Sequence, residues 1–257
     1  GAGKTTTLKM IAGLLEPTAG EVTVAGYDAT EREMRQRLGF LPEESPLYEE
    51  MTPTSYLHFF ADLYDVPDGV ADRRIHDTLD DLALEHRDRQ LGDMSKGMKR
   101  KVAIARSLVN DPEVLVYDEP ASGLDPLTTN YVIEFTEQLA REGKTIVFSA
   151  HNLFHVESIC DRVCILNEGE VVARGDLDQL QAEHGETKYH VYTTVDVPDS
   201  TQENGRYHRV VESMDAVEET REAARAAGGD VVDIRTEESS LEEVFLNVAD
   251  AGRRGEA

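Results

Sequence analysis

Apolar residues recur at helical spacing from the start of the chain: Leu8, Ile11, Ala12 and Leu15 share one face after the glycine-rich run GAGKTT. Pro17 to Gly20 then breaks the chain, and residues 21–25 alternate as a short strand. Residues 31–37 read as a polar helix and 38–41 as a short buried strand. From 48 to 110 the spacing is mostly helical, interrupted near Pro53, Pro67 and Gly92. The run VLVY at 114–117 ends in Asp118 and Glu119, as a buried parallel strand would. An amphipathic helix over 129–141, a strand over 145–149 and a hairpin turning at Glu168-Gly169 follow. After Gly185 the pattern changes: strands at 188–197, 207–211 and 230–234 alternate with helices at 215–227 and 240–248.

Strands alternating with helices predict an α/β fold, with a mostly parallel sheet and a helical subdomain at about 48–110. A separate small α+β domain is predicted over 186–250, after a first domain over 1–183 and before a tail at 251–257. Apolar residues make up 40% of the 257, enough for a sizeable core. No stretch reaches the roughly 18 apolar residues of a membrane span, and no signal segment stands at the front, so the expected compartment is the cytoplasm. The two cysteines, Cys160 and Cys164, are expected to be buried free thiols. A net charge of −25, spread along the chain, argues against a nucleic-acid partner, which needs a basic footprint. It suits a surface hydrated in high salt, as in a salt-adapted organism.

Three segments carry chemistry. GAGKTT matches the end of the phosphate-loop pattern G-x-x-x-x-G-K-[ST], in which glycines turn backbone N–H groups onto phosphate oxygens. Lys4 would reach the β- and γ-phosphates, Thr5 would ligate Mg²⁺, and the helix start adds its positive end. Asp118 and Glu119 stand where open α/β sheets bind ligands; Asp118 would hold the metal and Glu119 polarise the attacking water. MSKGMKRK, at 94–101, reads alone as a serine cap on a basic helix.

In this order the motifs resemble the nucleotide-binding subunits of ATP-binding-cassette (ABC) transporters, over residues 1 to about 180. GAGKTT is similar to the end of their Walker A loop, LPEE (41–44) falls at the Q-loop, and MSKGM at the signature sequence. VLVYDEP is similar to Walker B, ASGLDP (121–126) to the D-loop, and SAHN (149–152) to the switch histidine. The resemblance implies a P-loop NTPase core that takes ATP and Mg²⁺. Gly1, Ala2, Gly3, Lys4, Thr5, Thr6 and Glu43 would bind the nucleotide, with Thr5, Asp118 and Glu43 at the metal. Ser95 and Gly97 would touch the γ-phosphate bound by a second ATP-binding subunit, in a homodimer or heterodimer, and Asp125 would couple the two sites. His151 would hold the water with Glu119. A separate transmembrane permease would be the other partner, placing the chain on the cytoplasmic face of the membrane.

Glu43 stands where the family has Gln, and Lys96 and Met98 replace Gly and Gln in the signature. The SKGM form and the ending SLEEVFL (240–246) resemble ABC-2-type exporters. The strand layer that precedes the loop in the family is not present, which suggests a fragment or a misplaced start. Two alternatives stay open: a non-transport ABC protein acting on ribosomes or DNA, and a chain inactive as given.

Overall fold

The glycine-rich start turns straight into helix. Gly3 has φ 94°, which glycine adopts without a Cβ penalty, and α1 (Lys4–Ile11) begins at the next residue. The computed structural model describes residues 2–254; of the expected phosphate-binding residues, Gly1 lies outside the described residues. The apolar spacing predicts a longer α1 than forms. Leu8 and Ala12 are buried, but the left-handed Gly13 (φ 66°) ends the helix, and Leu15 lies beyond it, exposed. A hairpin of β1 (Thr23–Val24) and β2 (Tyr27–Asp28) leads to α2 (Arg32–Arg37) and to β3 (Leu38–Leu41).

The predicted helical stretch divides at its predicted breaks. α3 (Pro53–Leu63) opens on a capping box between Thr52 and Ser55, with Pro53 in its first turn. α4 (Asp68–Asp81) follows Pro67, and a 3-10 turn at Leu91–Asp93 precedes α5 (Lys96–Leu108). Their inner faces bury Leu57, Ile75, Leu79 and Ile104 in one cluster with Leu41, Leu115 and Tyr117 from the sheet. At about 25 cal/mol per Å² of apolar surface, that cluster is what fixes these helices against the strands.

β4 (Val114–Asp118) runs parallel between β3 and β5 (Thr145–Ser149). The register pairs Leu41 with Tyr117 and Asp118 with Ser149. α6 (Pro126–Arg141) begins three residues ahead of its predicted start, because Asp125 caps it and Pro126 suits the first turn. The short α7 (Leu153–Ile159) was not predicted; only Val156 of its seven residues is buried, too little to set a period.

β6 (Val163–Asn167) and β7 (Glu170–Gly175) form the predicted hairpin, followed by an unpredicted α8 (Leu177–His184). β8 (Lys188–Thr193), β9 (Thr201–Glu203), β10 (Arg206–Val211) and β11 (Val231–Glu237) make an antiparallel sheet in the order β11-β8-β10-β9. α9 (Met214–Ala226) lays Val217 on Val191 and Val211, and α10 (Leu241–Arg254) ends the described chain. Packing divides the chain into Gly1–Ile159 and Cys160–Ala257, so the hairpin and α8 group with the antiparallel sheet. The division expected at 183–186 lies inside the second unit. Both cysteines are free, but neither is fully buried: Cys160 is half-buried and Cys164 exposed on the outer side of β6. Among the described residues no helix is long and apolar enough to cross a membrane.

Candidate functional site

β4 is buried along Leu115, Val116 and Tyr117, and it delivers Asp118 and Glu119 to the end of the parallel sheet. Both are almost dry, at 2% and 7% exposure. Glu119 has φ 48°, a left-handed conformation uncommon for any residue but glycine, so the chain turns sharply there. Ser149 braces the turn. Its Oγ accepts from the Glu119 N–H at 3.0 Å and its O–H donates to Asp118 Oδ1 at 2.6 Å. The Asp118–Ser149 register of β4 and β5 puts that hydroxyl in place.

The Glu119 side chain faces His151 and Lys4. His151 Nε2, on the segment after β5, lies 3.1 Å from Glu119 Oε1. That oxygen is buried and makes no aligned hydrogen bond, so the His151 contact is electrostatic rather than a formed bond. Burial pushes the Glu119 carboxyl above its ordinary range; His151 and the Lys4 ammonium oppose that rise. Lys4 therefore stands within electrostatic reach of Glu119, carried by the first turn of α1. Thr5 and Thr6 are exposed on the same turn, and Ala2 is half-buried before it. A cleft of about 290 Å³ runs past Glu119, Pro120, Ser149, His151 and Asn152.

Ser95, Gly97 and Asp125 form a second group. Ser95 is exposed and caps α5, its Oγ accepting from the Met98 N–H at 3.2 Å. A Cβ on Gly97 would sit 3.1 Å from Thr128 Cγ2, so this face of α5 lies close against the start of α6. The Thr128 N–H and O–H donate to Asp125 at 3.0 and 2.7 Å, and they hold its carboxyl below the ordinary range. Glu43 is exposed on the loop after β3.

The first group suits a metal-bound polyphosphate. A helix start, a lysine and two carboxylates converge, and one carboxylate oxygen is buried without a hydrogen-bond partner. Among the described residues no three His, Cys, Asp or Glu side chains are grouped to hold a metal. Mg²⁺ needs no such cage, since phosphates and water fill most of its shell. Sequence reasoning gave no role to Ser149 or to Arg100, a buried cation on α5. A charged residue at helical spacing from Ala103, Ile104 and Leu108 was the signal available for Arg100.

Residues 1–122 match the family model "ABC transporter". The ABC transporter ATP-binding protein NatA of Bacillus subtilis is 42% identical over 197 residues, 75% of this chain and 80% of that protein. Nod factor export ATP-binding protein I of Burkholderia lata is 39% identical over 178 residues, 68% of this chain and 59% of that protein. Among solved structures, a dimeric ATP-binding cassette in a post-hydrolysis state, bound to ADP and Pi, superposes with a TM-score of 0.62 at 25% identity. That match covers 68% of this chain and 81% of the other. The P-loop α/β core, its helical subdomain and these relationships agree, and the chain belongs to the family of ABC transporter ATP-binding proteins.

Proposed function

We propose that this chain binds ATP with Mg²⁺ and hydrolyses it, as the subunit that powers an ABC-2-type exporter. The convergence of Lys4, Asp118, Glu119, Ser149 and His151 at the end of the parallel sheet carries the reading. Gly1, Ala2, Gly3 and Thr6 cradle the phosphates from the helix start, and Lys4 neutralises the β- and γ-oxygens. Thr5, Asp118 and Glu43 would hold the metal. Mg²⁺ supplies charge neutralisation on the transferred phosphoryl group. Glu119 accepts a proton from the attacking water as its oxygen bonds the γ-phosphorus and the bond to the β-phosphate oxygen breaks, and His151 orients that water.

Ser95 and Gly97 serve the nucleotide of a second ATP-binding subunit, and Asp125 links the two sites. Support comes from the relative solved as a dimer and from the exposure of Ser95. A separate transmembrane permease completes the assembly at the cytoplasmic face of the membrane, with residues 1–183 as the ATPase domain and 186–250 as an accessory domain. Export is supported by the relative named for Nod factor export. A nucleic-acid partner does not suit a net charge of −25.

The test is Lys4→Ala in the full chain. Phosphate release from Mg-ATP is expected to fall by about 10²-fold or more, since an electrostatic clamp on the transferred group is lost. Release at the unsubstituted rate overturns the reading.

A further inference from the structure

Arg100 is 7% exposed and lies on the apolar stripe of α5. Among the described residues its guanidinium pairs with no carboxylate. It donates instead to the backbone of two loops. Nε reaches Pro120 O at 2.7 Å, and Nη2 reaches Glu119 O at 2.8 Å and Asp118 O at 3.1 Å. Nη1 reaches Pro42 O at 2.7 Å, Glu43 O at 3.0 Å and Ser45 Oγ at 3.4 Å. The five N–H donors of the planar fork are spread over six acceptors.

The two loops leave adjacent strands. Residues 42–45 follow β3, 118–120 span the last residue of β4 and the turn after it, and the strands are in parallel register at Leu41 and Tyr117. Beyond that pair the sheet contributes no ladder bond between the loops, and Arg100 spans them. Glu119 is also the residue in the left-handed conformation. Such backbone is costly for a side chain with a Cβ, so it persists where its surroundings over-determine it. Ser149 holds the Glu119 N–H, and Arg100 holds the carbonyls on both sides of the strained φ/ψ pair. Desolvation pushes the guanidinium down to about 10, which leaves it fully charged at neutral pH. A buried charge satisfied mainly by carbonyl dipoles resists any loop movement that would strip a dipole from it.

We infer that Arg100 is a positioning residue for hydrolysis: it clamps the Glu119 turn and ties it to the Glu43 loop, so that the two loops shift together. This rests on Glu119 as the water-polarising base of the proposed function. Lysine keeps the charge but concentrates it at one point, so it cannot serve carbonyls on both sides of a plane.

The experiment compares Arg100→Lys and Arg100→Gln with Leu79→Ala, a core substitution on α4 in the same subdomain. Each full chain is assayed for kcat and KM with Mg-ATP and for amide hydrogen exchange. A misplacement near 1 Å at a reacting group can lower turnover by about 10²-fold. Both Arg100 variants are expected to lose kcat on that scale with KM held within about twofold, and to exchange faster at 42–45 and 118–121 together. Leu79→Ala is expected to melt earlier while keeping kcat and the exchange of both loops. Unchanged kcat in either Arg100 variant, faster exchange in one loop alone, or an equal kcat loss in Leu79→Ala overturns the inference. Lys4→Ala separates the two readings: it is expected to lower turnover by about 10²-fold or more while leaving loop exchange as it was. Turnover at the unsubstituted rate in Lys4→Ala would sink the function reading, whereas the exchange data judge the clamp independently.

Discussion

Glu119 combines three conditions that rarely meet in one side chain: a left-handed backbone, an almost dry carboxylate and an oxygen with no aligned partner. Burial raises its carboxyl above the ordinary 4.5, so the folded state holds a proton that the unfolded chain has already released. Between those two values stability falls as pH rises, and above them the loss stays constant. Glu119→Gln removes the loss, so its melting temperature is expected to exceed that of the unsubstituted chain at pH 8, with the gap closing near pH 4. In turnover the same shift places the acid limb of the kcat profile above 4.5. His151→Ala removes a side chain that opposes the rise and is expected to move that limb higher; a limb that moves lower contradicts the assigned electrostatics. Ser149→Ala strands the Glu119 N–H and Asp118 Oδ1 at once, at a cost of about 1–3 kcal/mol for an unmet buried group, read as a lower denaturant midpoint. Lys4, Asp118, Glu119 and His151 were legible in the sequence because each stands in a motif of fixed order. Ser149 and Arg100 also stand in motifs, but their roles were not legible, because those lie in bonds between segments 18 to 58 residues apart, which no local spacing encodes.

Strands were legible where the residue types favour extended chain: β3 and β4 are mostly buried, and β5, less buried, still carries a run of β-branched and aromatic residues. The breaks at Pro53 and Pro67 divide the helical stretch because proline suits a helix start. The elements missed are those with little buried surface. α7 buries one residue, α8 buries Leu180 alone, and β9 is exposed throughout. α6 begins early for a local reason that outweighs its apolar period: the Asp125 cap and Pro126 fix its first turn. A comparable cap starts α3, where Thr52 accepts from the Ser55 N–H. Thr52→Ala is expected to lower stability by about 1 kcal/mol, measured by urea unfolding, with no change in KM because the cap lies outside the catalytic group. A change in KM would show that α3 contributes to the nucleotide site.

At the scale of the molecule, charge dominates. A net charge of −25 repels itself in dilute buffer, and salt shortens the Debye length from roughly 10 Å at 0.1 M to about 3 Å at 1 M. We propose a salt-adapted protein, whose thermal midpoint is expected to climb between 0.1 and 2 M KCl; a flat or falling midpoint contradicts this. The α/β class and the helical subdomain were legible as alternating periods. The grouping of the β6–β7 hairpin with the antiparallel sheet was not, because it depends on α8 and the distant α10 both packing against β7. The central claim is that Glu119 activates water on bound ATP. Its most direct measurement is single-turnover hydrolysis of Mg-ATP by the full chain and by Glu119→Gln, with ATP binding measured on the same samples. Glu119→Gln is expected to bind ATP as tightly as the unsubstituted chain and to release phosphate at least about 10²-fold more slowly. Phosphate release by Glu119→Gln at the unsubstituted rate would contradict the claim.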